Sequence, residues 1–133
     1  MRVADVMKTD LAVINEDVPI RSAVILIADA HVLGVPVVDR RGRLVGALSA
    51  SDIVQAAAER AEAGEAAELL SDTRVSDIMS TPARTIAPDA DVRDAAREMR
   101  HRDVHRLFVV HGDDLLGVIS TSDIVRAVAD GTV

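Results

Sequence analysis

The chain has 133 residues, a net charge of −7, 49% hydrophobic residues, 1% aromatic residues and no cysteine. That is enough apolar material for one domain, or for two small units sharing a core, while disulfides, thiolate metal sites and Cys nucleophiles are excluded. The acidic balance argues against a phosphate-neutralising surface, and Phe108, the only aromatic residue, offers no platform for stacking bases.

From the N-terminus, Val3-Ala4-Asp5-Val6-Met7 has a counterpart in Val75-Ser76-Asp77-Ile78-Met79, 72 positions later. No signal-like apolar core lies in Met1-Arg2-Val3-Ala4-Asp5, and no apolar run is long enough to span a bilayer. A soluble cytoplasmic chain is expected, with neither nucleic-acid nor membrane partners. Val13-Ile14 reads as a short strand. Asp17 offers an N-cap, with Pro19 just inside a helix whose Ile20, Ala23, Val24, Ile27 and Ala30 recur at helical spacing. Val35–Val38 and Leu44–Leu48 predict a hairpin across Arg41-Gly42, and a helix from Ser51 closes the copy. Glu59, Glu62, Glu65 and Glu68 follow at i+3 spacing among Ala57, Ala61, Leu69 and Leu70. They predict an extended or second helix, interrupted at Gly64, whose acidic row is a solvated face or, alternatively, a partner surface.

The second copy predicts the same order: a strand at Thr85-Ile86, a helix from Asp89 with Val92, Ala95, Ala96 and Met99, strands Leu107–Val110 and Leu115–Ile119, then a helix from Thr121. Gly46 and Gly117 lie 71 apart, so this copy is one residue shorter, in the turn between Val110 and Leu115. The sum is an α/β (α+β) fold of two β-α-β-β-α repeats, with residues 1–70 as the first repeat plus linker helix and 71–133 as the second.

One phrase closes both copies: Gly46-Ala47-Leu48-Ser49-Ala50-Ser51-Asp52-Ile53-Val54, and Gly117-Val118-Ile119-Ser120-Thr121-Ser122-Asp123-Ile124-Val125. A strand that hands over to a helix leaves first-turn N–H groups unpaired, and the hydroxyls and carboxylate stand where those donors point. Two readings follow. Ser49-x-x-Asp52 and Ser120-x-x-Asp123 resemble capping boxes with Asp in place of Glu. The same place suits a ligand, because amides and helix dipole attract phosphate and a carboxylate can grip a ribose diol.

These pieces together resemble the cystathionine β-synthase (CBS) domain, present twice as the pair called a Bateman module. Asp-Val/Ile-Met at the start of each copy, Gly34-Val35-Pro36-Val37-Val38-Asp39 in the first hairpin, and the closing phrase carry the likeness from Val3 to about Val128. The resemblance implies two repeats packed by pseudo-twofold symmetry, with two clefts for adenosine-containing ligands such as AMP, ADP, ATP or S-adenosylmethionine. It implies that Asp52 with Ser49, and Asp123 with Ser120, hold the ribose and phosphate. The adenine would lie against the opposite repeat, pairing Asp52 with Thr85, Ile86, His105, Arg106 and Leu107. Asp123 would pair with Val13, Ile14, Leu33, Gly34, Val35 and Pro36. His105-Arg106 stands where the first copy has Leu33-Gly34, so the Asp52 cleft suits a phosphorylated ligand. The Asp123 cleft would take a neutral or weakly charged adenosine compound, or nothing; Arg126 either restores some charge there or is an exposed helix residue. Phe108 departs from the pattern where Pro36 stands in the first copy.

His101 and His105 are four apart, but the helix is expected to end near Arg102, which puts them on different faces and gives no metal site; His31 and His111 have no partner pattern. No phosphate loop, H-E-x-x-H or G-x-S-x-G occurs, and no catalytic residue is assigned. The expected function is a non-enzymatic, ligand-responsive regulator requiring no cofactor, forming a homodimer and acting on an unknown protein partner. The alternative is an interaction or oligomerisation module without a physiological ligand.

Overall fold

In the computed structural model, which describes residues 1–30, 32, 34–62, 64 and 69–131, the first elements are α1 (Val3–Val6), β1 (Ile14–Asn15), α2 (Ile20–Ala30), β2 (Gly34–Val38), β3 (Leu44–Ser49) and α3 (Ala50–Glu62). The one-turn helices α4 (Leu69–Asp72) and α5 (Val75–Ile78) follow, then β4 (Thr85–Ile86), α6 (Val92–Arg102), β5 (Arg106–His111), β6 (Asp114–Ser120) and α7 (Thr121–Ala129). Each β-α-β-β-α set builds a three-stranded sheet. β1 runs parallel to β2 and β2 antiparallel to β3; β4, β5 and β6 repeat the arrangement. The helix between the two parallel strands is the crossover such a pairing requires. Both hairpins shift register at matched places, Val37/Val38 and Val109/Val110.

The packing units exchange short segments between the repeats. Ala12–Ala83 form one compact unit, and Met1–Leu11 with Arg84–Val133 form the other. Each exchanged segment is anchored twice. The one-turn helix α5 delivers Val75, fully buried, to a core of Ile20, Val35, Val37 and Leu48. Its counterpart α1 delivers Val3, equally buried, to Ala95, Leu107, Val109 and Ile119. Burying a Val fully is worth about 1.5–3 kcal/mol, enough to hold a four-residue helix that could not form alone. The second anchor is main chain. Lys8 and Val118 exchange N–H···O bonds of 2.8 and 2.9 Å, and Ala47 and Ser80 exchange bonds of 3.0 and 2.8 Å. A Cβ on Gly117 would stand 2.5 Å from the Lys8 carbonyl oxygen, and one on Gly46 2.8 Å from that of Ser80. The two glycines of the closing phrase are there for close approach, not for a special φ.

The helix starts differ from expectation. Asp17 does not cap α2: it lies in a turn where its N–H donates to Asn15 Oδ1 and its carboxylate meets Arg40 Nε at 3.4 Å, and α2 begins only after Pro19. In the second copy Asp91, not Asp89, caps α6 by accepting the Arg93 N–H at 2.8 Å. The Arg93 side chain closes on the same carboxylate and holds Asp91 far below its ordinary acidity range. β1 is displaced one residue, leaving Val13 46% exposed beside the buried Ile14.

Between the repeats, α3 ends at Glu62 and Gly64 takes φ +76°. Glu59 and Glu62 are exposed, whereas Glu65 and Glu68 lie outside the described residues. Beyond α4, buried Thr73 ties the segment down: its carbonyl accepts the Ile20 N–H at 2.8 Å and its hydroxyl accepts Arg60 Nη2 at 3.1 Å.

Candidate functional site: two strand-to-helix turns

The last residue of β3 is Ser49, and α3 starts at the next position. Asp52 N–H donates to Ser49 Oγ at 3.0 Å while Ser49 N–H donates to Asp52 Oδ2 at 2.9 Å. This is a reciprocal capping box, so the capping reading of the sequence is correct for this turn. It does not use up the carboxylate. Asp52 is half-buried, and among the described residues its other oxygen, Oδ1, accepts the Ser80 hydroxyl at 3.1 Å. Beside it lies an open hollow of about 290 Å³ lined by Asp52, Gln55, Glu59, Asp77 and Ser80 among others.

The turn at Ser120 has the same box. Ser120 N–H donates to Asp123 Oδ2 at 2.9 Å, and Asp123 N–H donates to Ser120 Oγ at 3.2 Å. Its surroundings differ. The Ser120 hydroxyl also donates to Oδ2 at 2.9 Å, and Oδ1 faces Lys8 Nζ at 3.6 Å and Arg126 Nη1 at 3.5 Å. Only 2% of the Asp123 side chain is exposed, against 56% for Lys8 and 61% for Arg126. Arg126 is thus both of the things expected of it, an exposed helix residue and a charge beside Asp123.

The other candidate residues divide by unit. Gly34 opens β2 opposite Ser49, with Val35 and Pro36 following, while Val13 and Ile14 lie at the parallel strand. Arg106 opens β5 opposite Ser120, Leu107 follows, and the His105 carbonyl accepts the Thr121 N–H at 2.9 Å. Thr85 and Ile86 pair with Phe108 and Val109. Each hairpin mouth therefore adjoins the Ser-x-x-Asp turn of its own repeat. The expected partners of Asp52 belong to the other unit, as do those of Asp123, so those pairings rest on the family resemblance. Ile14, Val35, Pro36 and Leu107 are buried, Thr85 and His105 are exposed, and Arg106 is half-buried. Leu33 and His31 lie outside the described residues. Phe108 does not disturb its hairpin: it is buried, and its N–H donates to the Arg84 carbonyl at 2.9 Å, a bond proline could not make.

α6 ends at Arg102 and Asp103 turns left-handed at φ 53°, so His101 sits in the last turn and His105 beyond it. Among the described residues no group of three His, Cys, Asp or Glu could hold a metal, and no helix is long and apolar enough to cross a membrane. Lys8 and Ser80 are the site residues that sequence reasoning missed. They occupy matched positions 72 apart, directly after the Met of each opening motif, and their difference in charge is visible in the sequence.

Two parallel-antiparallel sheets, each with a serine-aspartate turn at its exit, define a tandem of small α/β modules. A family model of the CBS domain matches residues 3–59 and 75–130, and the chain belongs to that family, as a pair of repeats. Among relatives, protein MJ1404 of Methanocaldococcus jannaschii is 31% identical over 97% of this chain, which spans 32% of that protein. CBS domain-containing protein YhcV of Bacillus subtilis is 29% identical over 92% of this chain and 81% of its own length. Subunit gamma-3 of the human 5'-AMP-activated protein kinase is 31% identical over 89% of this chain, which covers 24% of the subunit. Of solved structures, CBSX2 in complex with AMP superposes with a TM-score of 0.84 at 26% identity, covering 99% of this chain and 98% of that one. The CBS domain pair of MJ0100, solved with 5'-methylthioadenosine and S-adenosylmethionine, shares the fold with a TM-score of 0.82 at 21% identity, covering 98% of each chain.

Proposed function

We propose that this CBS pair binds an adenosine-containing ligand, namely AMP, ADP, ATP or S-adenosylmethionine, and works as a regulatory module. The observation that carries the reading is Asp52. Its capping box occupies one carboxylate oxygen and orients the group, while among the described residues the other oxygen accepts one hydroxyl, and the residue lines an open hollow. A ribose diol supplies the donors such an oxygen accepts. The likeness to CBSX2, solved with AMP, supports the adenosine class. In this reading Ser49 and Asp52 grip the ribose, and His105 and Arg106 of the second repeat take the phosphate, the guanidinium by a fork of hydrogen bonds. Thr85, Ile86 and Leu107 flank the base. Ligand favours one arrangement of the pair only by as much as it binds that arrangement better than another.

The module is non-catalytic and needs no cofactor in this proposal. It acts in the cytoplasm, without nucleic acid or membrane, through a protein partner or a second copy of itself. Val54 on α3, 68% exposed, and Val125 and Val128 on α7, 66% and 58% exposed, support a homodimer built on these helices. They equally support the alternative, an oligomerisation module with no physiological ligand. Asp52 separates the two. Titration calorimetry with AMP should show Asp52→Asn weakening binding by roughly tenfold or more, while the urea midpoint moves little because an amide oxygen still accepts the Ser49 N–H. AMP lacking its 2'- and 3'-hydroxyls should bind the wild type poorly and lose nothing further on the mutation. Equal affinity of wild type and variant would reject the ribose assignment, and no AMP binding at all would favour the module without a ligand.

A further inference from the structure

We infer that Lys8 latches Asp123, so that the chain takes one adenosine-containing ligand, at Asp52, and the matching turn at Asp123 is closed to a second. The inference rests on the reading of Asp52 just given and concerns what distinguishes the two turns. Both carboxylates use Oδ2 to complete a capping box, so Oδ1 is the atom a ribose diol would need. At Asp52 that atom meets the neutral, exposed Ser80 hydroxyl at 3.1 Å. A diol can join or replace one neutral hydroxyl at little cost. At Asp123 the same atom lies between the Lys8 ammonium at 3.6 Å and the Arg126 guanidinium at 3.5 Å, and the side chain is 2% exposed. A neutral diol would have to dislodge cations from a buried anion and leave its charge matched by weaker, uncharged donors.

Lys8 is delivered there by the fold. Its main chain is pinned to Val118 by two hydrogen bonds beside Gly117, so only the side-chain torsions need be fixed to set the ammonium on the carboxylate. Ser80 is pinned to Ala47 in the same way and presents a hydroxyl instead. Of the two cations on Asp123, Lys8 is therefore the one delivered from the far end of the sequence, while Arg126 stands on α7 itself and is 61% exposed. Because Lys8 is 56% exposed, its removal opens a path to Oδ1 without unpacking the core.

The test is the stoichiometry of AMP binding per chain, measured by calorimetry and by equilibrium dialysis. Wild type should bind one AMP. Lys8→Ser, which brings to position 8 the side chain found at position 80, should bind two. Lys8→Arg, which keeps the cation, should bind one, and Lys8→Ser combined with Asp123→Asn should return to one. Two AMP per wild-type chain, or one per Lys8→Ser chain with an unchanged circular dichroism spectrum, would overturn the latch and leave the Asp52 reading standing. No binding by any of these chains would remove that reading and the latch together. Lys8 contributes its main chain to the sheet edge whichever side chain it carries, so a folded Lys8→Ser protein is expected; the Lys8→Arg chain gives an independent arm in which a second bound AMP would count against the latch.

Discussion

Asp52 and Asp123 are the seventh residues of two matched nine-residue phrases and cap their helices with the same pair of bonds. One carboxylate keeps an open side next to a serine; the other is buried under a lysine and an arginine. The phrase itself does not decide this. The arginine stands on α7, just past the phrase, but the serine and the lysine come from the segment after the opening Asp-Val/Ile-Met motif of the other repeat, carried across by the exchange of the stretches that end at Leu11 and Ala83. Repeats of matching sequence can thus present different chemistry at matched atoms, because the local motif supplies the anion and a distant segment sets what stands beside it.

The comparison depends first on the close crossing that brings each segment to its turn. Gly117→Ala would drive a Cβ against the Lys8 carbonyl at 2.5 Å, and Gly46→Ala against that of Ser80 at 2.8 Å. Both should destabilise by about 1–3 kcal/mol, Gly117→Ala more, read as urea midpoints. Equal stability to wild type in either variant would mean that the segments are not held as described. A smaller effect is expected at the caps. Ser49→Ala should cost about 1 kcal/mol, and Ser120→Ala more, since Ser120 Oγ also donates to the buried Asp123 carboxylate. If the order is reversed, the extra bond at Asp123 carries no weight.

The smallest effect is in acid. The Arg93 side chain and N–H hold Asp91 well below its ordinary value of 3.8. A carboxylate with a depressed folded-state pKa stabilises fully above its unfolded pKa and loses that contribution as pH falls below it, toward the folded value. Thermal stability should therefore drop below about pH 4, and Asp91→Asn should flatten part of that drop while lowering stability slightly at neutral pH. The matched position in the first repeat is Pro19, which offers no titrating cap, so no equivalent slope is expected from α2. A profile unchanged by Asp91→Asn would show that the exposed pair with Arg93 is silent.

The order of strands and long helices was legible because Ile20, Ala23 and Ile27, or Val92, Ala95 and Met99, repeat at the period of a buried helical face, and because Gly42 and Gly112 mark the hairpins. The helix starts were less so. Asp17 and Asp89 had the right chemistry for caps, but the chain enters both helices two residues later, and at that place the repeats differ, Pro19 against Asp91. α1, α4 and α5 are a single turn each, too short to show a period. The Ser-x-x-Asp boxes could be read directly, since a capping box is local. Lys8 could not, because its meeting with Asp123 is a contact across more than a hundred positions that only the main-chain pairing at Gly117 explains.

The exchanged ends also say something about how such a chain can be cut or spliced. A fragment stopped at residue 70 would carry Gly46 without Ser80, and Leu48 without Val75 to lie against. The remaining fragment would lack Val3 and Lys8 in the same way. Neither half is a transplantable cassette by itself; the least that can be moved intact to another gene is the duplicated pair, reading from its opening turn to its closing helix.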